Sequence, residues 1–263
     1  MGILNVTPDS FSDGGRFSSL DTALKQAERM IDGGANIIDI GGESTRPGSQ
    51  QISPDEEIER TVPVIEAIVK RFDVPISIDT SECAVAEAAV NAGAEIINDV
   101  SGLTWEPEIA QVAVKHRTGL VLMHLRGSFE TMHTQPPVED ILQEVESSFR
   151  SSIERAVSAG VPLENIALDI GIGFSKTFEQ NLELLAKLGK LKAQFSGFPL
   201  LVGTSRKSFL GKILGDAPPD QRLSGSIASA VIAVMNGANI VRVHNVKETA
   251  DALRVTEAIR AQS

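Results

Sequence analysis

The sequence predicts a single α/β domain, residues 1–263, folded as an eight-stranded (β/α)8 TIM barrel. Two observations support this fold: eight short apolar runs recur along the chain, and each is followed by a segment with helical spacing. Such runs are typical of parallel strands that helices cover. No Pro-, Gly- or Ser-rich linker divides the 263 residues. An open, doubly wound parallel sheet is the alternative fold.

The predicted strands are short and rich in β-branched residues. In order, they are GILNV (2–6), NIIDI (36–40), PISID (75–79), EIIND (95–99), GLVLMHL (119–125), IALDI (166–170), PLLVG (199–203) and NIVRVH (239–244). Each run therefore begins one strand–helix unit.

Four of the intervening helices carry clear signals in the sequence. The stretch 20–34 places apolar residues on one stripe and ends in Gly33-Gly34, a common helix stop. The stretch 54–72 follows Ser53 and has acidic residues in its first turn, where the helix dipole favours them. The stretches 139–160 and 248–261 repeat the amphipathic pattern.

Charge and composition exclude several functions. The net charge of −11 argues against an extended nucleic-acid footprint, which needs a basic face. No apolar run approaches the ~18 residues of a membrane span and no signal-peptide pattern is present, so we expect a cytoplasmic protein without membrane or nucleic-acid partners. The single cysteine, Cys83, fits a reducing compartment, and its neighbours indicate a helix start and a structural role.

Polar residues lie at or just after the carboxyl end of every predicted strand, where barrels of this kind have their active sites. In chain order they are Asn5; Thr45 and Arg46; Asp79; Asn98 and Asp99; His124; Asp169; Ser205, Arg206, Lys207 and Ser208; and Arg242 and His244. Any one could be a turn residue, and Asp39, inside the second strand, could be a buried group that a neighbour satisfies. Because burying unpaired polar groups costs several kcal/mol each, the whole set indicates a binding site.

Part of this set indicates an anionic ligand in an otherwise acidic protein. The cationic donors are Arg46, Lys207, Arg242 and His244, and the fork of an arginine suits phosphate oxygens. The stretch GTSRKSFLG (203–211) follows the seventh strand, where barrels often bind phosphate. It is not a nucleotide P-loop, and GIGFSK (171–176) is not a dinucleotide fingerprint, because Lys176 stands where the third Gly belongs.

The remaining polar residues suit a flat, hydrogen-bonding heterocycle. Asp79, Asn98 and Asp169 offer two carboxylates and an amide on the opposite arc of the rim. Met123 and Phe174 could sandwich the two faces of such a ring.

The four histidines and the single cysteine do not form a pattern that would bind a transition metal. No Cys/His cluster has zinc spacing; His116 and His133 are interpreted as surface residues, and His124 is ambiguous. A weakly held Mg²⁺ shared with substrate phosphates suits the pattern, because that ion keeps its waters and needs few protein ligands.

Six motifs in collinear order carry a family resemblance. GILNVTPDSFSDGG, IDIGGESTRPG, SIDTS, INDVSG, GTSRKSFLG and RVHNV together resemble the dihydropteroate synthases of the folate pathway. The resemblance implies a barrel that condenses a dihydropterin methyl diphosphate with 4-aminobenzoate and releases diphosphate. It also implies Mg²⁺ as cofactor and a homodimer.

The resemblance further implies roles for particular residues. The implied pterin-binding residues are Asp79, Asn98, Met123, Asp169, Phe174, Gly203 and Lys207. The implied 4-aminobenzoate pocket is Phe11, Thr45, Arg46, Pro47 and Ser205. The diphosphate would contact Asn5, Arg46, Arg242 and His244, with Asn5 also binding Mg²⁺. Asp79, Lys207, Arg242 and His244 would form the catalytic set.

Residues 7–17 and 44–54 are predicted to be loops that close over the substrates and exclude water. Two features depart from the family pattern: Ile170 stands where a Pro is usual, and relatives generally carry a segment before the first strand. A methyltetrahydrofolate-type methyltransferase and a non-catalytic pterin-binding barrel are the alternative functions. The first would not need the cationic cluster, and the second would not need both loop motifs.

Overall fold

The structure is a computed structural model and describes residues 1–7 and 16–262. Over these residues, eight parallel strands pair in chain order into one sheet. The strands are β1 (Gly2–Asn5), β2 (Ile38–Gly41), β3 (Ile76–Asp79), β4 (Ile96–Asp99), β5 (Gly119–Met123), β6 (Ile166–Asp169), β7 (Leu200–Val202) and β8 (Ile240–Val241). Each overlaps the run predicted for it.

The sheet closes on itself between β8 and β1. The Ile3 backbone N–H donates to Val243 O at 2.9 Å, and the Val243 N–H donates to Met1 O at 3.0 Å. Val243 follows β8 and forms a parallel bridge with Gly2, so the last strand is hydrogen-bonded to the first. The predicted barrel is confirmed, and the alternative of an open, doubly wound sheet is wrong.

Helices connect consecutive strands around the barrel. Within the same described ranges they are α1 (Arg16–Asp32), α2 (Pro54–Arg71), α3 (Cys83–Asn91), α4 (Ile109–His116), α5 (Ile141–Ala159), α6 (Phe178–Ala186), α7 (Leu188–Gln194), α8 (Ser208–Ile213), α9 (Leu223–Met235) and α10 (Val246–Arg260). The connections that follow β6 and β7 hold two helices each. The four helices predicted from sequence signals are α1, α2, α5 and α10.

Side-chain caps set where two of these helices begin. The Ser53 Oγ accepts a hydrogen bond from the Glu56 N–H at 3.2 Å at the start of α2. The Asp140 Oδ1 accepts two backbone N–H groups of the first turn of α5, each at 3.0 Å. These caps hold the ends of the loops that connect β2 to α2 and β5 to α5, which both lie at the carboxyl end of the barrel.

The apolar core lies between the strands and the helices. Ile38 and Ile40 of β2 and Ile76 of β3 have no solvent exposure and belong to this core. Since side chains alternate along a strand, Asp39 and Ser77 lie on the opposite, inner face of the barrel. The same alternation that buries isoleucine outside therefore turns polar residues toward the barrel axis.

Cys83 begins α3, as its neighbours in the sequence predict. Its thiol is half-buried, and burial together with nearby carboxylates raises its pKa, which disfavours a nucleophilic thiolate. In the part of the chain that the structure describes, no helix is both long and apolar enough to cross a membrane.

Candidate active site

The structure brings the predicted polar residues together at the carboxyl ends of the strands. Asn5 ends β1, Asp79 ends β3, Met123 ends β5 and Asp169 ends β6. The sheet register places Asp79 directly beside Asn98, and Met123 directly beside Asp169. These side chains therefore occupy neighbouring positions on one rim.

An arginine after β8 occupies the centre of this rim. The Arg242 Nε donates to Asp39 Oδ2 at 2.5 Å, and the same guanidinium forms an ion pair with Asp79. The Asn98 Nδ2 lies 3.4 Å from both Asp39 oxygens. Asp39 is fully buried, as the sequence predicts for a satisfied polar group, and its partners are two residues of the candidate site.

Burial shifts the pKa values of Asp79 and Lys207, two of the four catalytic candidates, in opposite directions. Desolvation raises the pKa of Asp79 to about 6, against the opposing effect of Arg242. Desolvation, reinforced by Arg242, lowers the pKa of Lys207 to about 8. At pH 7, Asp79 is therefore mostly an anion and Lys207 mostly a cation. Both pKa values lie within about one unit of pH 7.

The carboxylate of Asp169 is held by the loop that follows β6. Its Oδ1 accepts the Gly171 N–H at 2.8 Å, and desolvation raises the pKa of this carboxyl. Gly171 has a φ of 63°, and a Cβ there would lie 2.0 Å from His124 O, so only glycine fits. Ile170, which replaces the family's usual Pro, is fully buried in the core, and the neighbouring carboxylate stays at the rim.

Lys176 belongs to this site, although the sequence predicted no role for it. Its Nζ donates to Gly171 O at 2.8 Å, to Phe174 O at 2.9 Å and to His124 O at 3.3 Å. Burial lowers the pKa of this amine well below its usual value. Lys176 therefore fastens the loop behind Asp169 to the end of β5, an arrangement for which the sequence contains no signal.

Apolar residues form one wall of the rim. Met123 and Phe174 are buried in a small cluster separate from the main core, with Trp105 packed against it. The Lys207 Nζ lies 4.2 Å from the centroid of the Phe174 ring, within cation–π range. Gly203 directly follows β7, and an added Cβ there would lie 3.8 Å from the Arg242 Cβ.

His244 is paired with Ser205 rather than charged. Its Nδ1 lies 3.0 Å from the Ser205 Oγ, which also accepts the His244 backbone N–H at 3.2 Å. Burial, together with Arg206 and Arg242, lowers the pKa of the imidazole to about 3. His244 is therefore neutral at pH 7, and the prediction that it is cationic is wrong.

The loop after β2 carries Thr45, Arg46 and Pro47. Arg46 and Pro47 are exposed, and the positive charge of Arg46 contributes to lowering the pKa values of Lys207 and His244. The Ile52 N–H donates to Glu43 Oε1 at 2.8 Å and closes the base of the loop. Phe11, and with it the loop predicted at residues 7–17, lies outside the described residues except at the two ends.

Two polar residues of the predicted rim are fully buried beneath it. Asp99 is fully buried, and its two carboxylate oxygens accept the N–H groups of Ser101 at 2.7 Å and Leu103 at 2.6 Å. The His124 imidazole is also fully buried, and its Nε2 lies 3.9 Å from the Glu144 carboxylate of α5. Asp99 therefore holds the loop after β4, whereas neither ring nitrogen of His124 has a hydrogen-bond partner among the residues that the structure describes.

His133, interpreted from the sequence as a surface residue, is half-buried and contacts the site. Its Nε2 lies 2.8 Å from Thr45 O, and its ring stacks on Phe174. No periodicity or motif of the sequence indicates these two contacts. His133, Thr45 and Phe174 lie in loops that follow three different strands.

Known proteins resemble the chain over almost its whole length. A protein-family model described as a pterin binding enzyme matches residues 1–244. Dihydropteroate synthases of Synechocystis sp. and Escherichia coli are 51% and 50% identical to it, over 98% of this chain and 89% and 90% of theirs.

Solved structures agree with the sequence comparison. A Yersinia pestis dihydropteroate synthase in complex with a sulfonamide drug superposes with a TM-score of 0.92 at 49% identity, covering 100% of this chain and 94% of that one. A Xanthomonas albilineans dihydropteroate synthase with 4-aminobenzoic acid gives a TM-score of 0.92 at 41% identity, covering 99% and 92%. Sequence, fold and the residues at the rim agree: the chain belongs to the pterin-binding enzyme family, among the dihydropteroate synthases.

Proposed function

We propose that the protein condenses a dihydropterin methyl diphosphate with 4-aminobenzoate to give dihydropteroate and diphosphate. The observation that carries the proposal is one electrostatic cluster at the barrel mouth. There the positive charge of Lys207 opposes the rise that burial causes in the pKa values of Asp79 and Asp169, and Arg242 adds a permanent positive charge. Hydrogen-bond acceptors for a heterocycle thus lie next to donors for an anion.

The pterin ring is bound by Asp169, Asn98 and Lys207 in this proposal. The buried Asp169 carboxylate accepts two N–H groups of the amino-pyrimidine edge, and Lys207 donates to the carbonyl side of the ring. Met123 and Phe174 contact its faces, which suits the apolar wall that they form. An acceptor on one side and a cationic donor on the other would fix the orientation of the ring.

The diphosphate is bound by Arg242, Arg46 and the neutral His244. Arg242 is suited to this role because Asp39 and Asp79 already hold its guanidinium in place. Asn5 contributes a half-buried amide oxygen, a hard ligand of the kind that Mg²⁺ takes alongside phosphate oxygens and water. The ion would supply further positive charge at the leaving group.

The reaction proceeds by departure of diphosphate ahead of amine attack. The bond between the pterin methylene carbon and the diphosphate oxygen breaks, and its electron pair leaves with the diphosphate. Asp79 stabilises the cation left on the pterin, while Arg242 stabilises the charge on the leaving oxygen. The 4-aminobenzoate nitrogen then forms the C–N bond and loses a proton to water, so no covalent protein intermediate is needed.

The second substrate is bound beside the loop after β2. Of the residues that the structure describes, Thr45, Arg46, Pro47 and Ser205 line its pocket in this proposal. Arg46 offers a cation to the benzoate carboxylate, and the exposed Pro47 offers an apolar surface to its ring. We expect inhibition by mimics of 4-aminobenzoate such as sulfonamides.

Diphosphate release tests the proposal. Purified protein receives the dihydropterin methyl diphosphate and Mg²⁺, with and without 4-aminobenzoate, and both diphosphate and dihydropteroate are measured. We expect release that depends on 4-aminobenzoate and equals product formation. Binding of the pterin substrate without any product would overturn the synthase proposal in favour of a pterin-binding protein. Methyl transfer from methyltetrahydrofolate to a corrinoid would favour the methyltransferase.

We further propose that the protein acts in the cytoplasm as a homodimer. Exposed apolar side chains support the dimer: Ile232 and Met235 of α9 and Val255 and Ile259 of α10 are each at least half exposed, on two helices that contact each other. Sedimentation equilibrium would measure the mass, and a monomer at micromolar concentration would exclude the dimer.

A further inference from the structure

His133 lies between the two proposed substrate subsites and contacts both. It belongs to the connection between β5 and α5. Its Nε2 is 2.8 Å from Thr45 O in the loop after β2. Its ring stacks on Phe174 with a centroid distance of 5.7 Å and an interplanar angle of 25°.

The contact with Thr45 shows that the Nε2 atom of His133 carries a proton. A backbone carbonyl has no proton to donate, so the His133 Nε2 must carry one and act as the donor. The bond positions the Thr45 carbonyl and, with it, the loop in which Arg46 and Pro47 follow. The loop after β2 is thereby fastened to the far side of the barrel mouth.

The segment that carries His133 is anchored to the loop after β6. Its neighbour Met132 is buried, and the Met132 carbonyl accepts both the Ser175 N–H at 2.9 Å and the Ser175 Oγ–H at 2.8 Å. His133 is therefore held against the wall that contains Phe174. Phe174 in turn lies under the Lys207 ammonium at 4.2 Å.

We propose that His133 is a positioning residue that couples the 4-aminobenzoate subsite to the pterin subsite. Its N–H sets the position of Thr45, and its ring sets the orientation of Phe174 against the pterin. This inference rests on the proposed function, because the two subsites are those of the two proposed substrates. The two contacts use different parts of one side chain, so separate substitutions can remove each of them.

Three variants separate the two contacts. His133→Phe keeps an aromatic ring against Phe174 but has no N–H for Thr45. His133→Gln keeps an N–H donor but has no ring, and His133→Ala has neither. His116→Gln is the matched control, because His116 is also half-buried, bonds Glu87 at 3.1 Å and ends α4 at the opposite end of the barrel.

The measurement is steady-state turnover with each substrate varied in turn, together with the thermal midpoint of each variant. For His133→Phe we expect the KM for 4-aminobenzoate to rise about fivefold and the KM for the pterin substrate to stay within about twofold. For His133→Gln we expect the reverse pattern, and for His133→Ala a rise in both. The control should change neither.

The inference would be overturned if both KM values stayed within about twofold of wild type in all three variants. A loss of thermal stability with equal changes in both KM values in His133→Phe and in His133→Gln would do so too, because it would indicate a purely structural role. A wild-type protein without turnover would refute the proposed function instead. In that case, calorimetric titration of 4-aminobenzoate with and without 6-hydroxymethyl-dihydropterin diphosphate, in the same variants, decides whether His133 couples the two subsites.

Discussion

Arg242, which follows β8, is ion-paired with Asp39 in the middle of β2, so a buried carboxylate deep in the barrel orients the guanidinium at its mouth. Asp39 has no solvent exposure, whereas the Arg242 side chain is 19% exposed. The arginine therefore presents part of its surface to the proposed diphosphate site while its Nε is already bonded. A free arginine side chain would lose more rotamer entropy on binding the same anion.

Replacing Asp39 tests this relationship. Asp39→Asn keeps the shape but removes the charge, which leaves Arg242 paired with Asp79 alone. We expect the free energy of unfolding to fall by about 2 kcal/mol, less than for a fully isolated buried charge, because Asp79 remains. We also expect a higher KM for the pterin substrate, since the guanidinium would shift toward Asp79. Urea unfolding and steady-state kinetics measure the two effects.

An exposed carboxylate provides the control for that substitution. Asp251 in α10 is ion-paired as well, with Lys247 and Arg254, but its side chain is 49% exposed. Exposed pairs contribute little, so Asp251→Asn should change the free energy of unfolding by less than about 1 kcal/mol and leave KM unchanged. Equal destabilisation by the two substitutions would contradict the importance of the buried pair.

The pH dependence of turnover should reflect Asp79 and Lys207. The proposed mechanism needs Asp79 ionised and Lys207 protonated, and burial brings their pKa values to about 6 and about 8. We therefore expect kcat/KM for the pterin substrate to rise up to about pH 6 and to fall above about pH 8. The profile is measured at saturating 4-aminobenzoate, in buffers of constant ionic strength.

The Lys207→Arg variant tests whether Lys207 causes the decline of kcat/KM at alkaline pH. Lys207→Arg keeps a positive charge that does not titrate in this range. The decline above about pH 8 should disappear in this variant, even if the rate at neutral pH is lower. An unchanged alkaline limb would show that another group causes it and would remove Lys207 from the titrating pair.

Much of the fold and the rim could be predicted because both depend on local pattern. Short apolar runs that alternate with amphipathic stretches are typical of parallel strands between helices, and a buried polar residue at a strand end is costly unless it has a partner. Asp79, Asn98 and Asp169 were found in this way. The structure places Asp79 directly beside Asn98 and brings Asp169 to the same rim, because parallel strands in register bring their carboxyl ends together.

Other site residues could not be predicted, because their contacts join loops far apart in the sequence. Lys176 bonds a carbonyl 52 residues away, and His133 bonds one 88 residues away. Backbone carbonyls carry no sequence signal, so nothing in the chain marks them as partners. The charge of His244 was mispredicted for a related reason: its burial arises from loops that only the folded chain assembles.

Lys176 should control the loop behind Asp169. Lys176→Met keeps much of the side-chain volume but loses three hydrogen bonds to backbone carbonyls. We expect the KM for the pterin substrate to rise about tenfold, because Gly171 N–H would no longer hold Asp169 in place. Lys192→Met is the control, since Lys192 donates to the Phe198 carbonyl before β7, at the opposite end of the barrel. Equal KM values in the two variants would rule out this role for Lys176.

Glu57 should make the protein less stable as pH rises. Its carboxyl is 2% exposed, its Oε2 accepts Thr80 Oγ1–H at 3.3 Å, and burial with the nearby carboxylates of Glu43 and Asp79 raises its pKa to about 8. The ordinary value is 4.5, so between pH 4.5 and about 8 the unfolded chain is ionised at this position while the folded chain still holds the proton. The folded state binds more protons in that window, so stability falls as pH rises through it.

Glu57→Gln removes this titration and keeps an oxygen acceptor for Thr80. We expect the variant to gain about 2 kcal/mol in free energy of unfolding at pH 8 relative to wild type, and almost nothing at pH 5. Urea unfolding at the two pH values measures the difference. Glu66→Gln, on the exposed face of the same helix α2, should change stability by less than about 0.5 kcal/mol at either pH. A gain of equal size at both pH values would mean that the carboxyl is already ionised in the folded protein at pH 5.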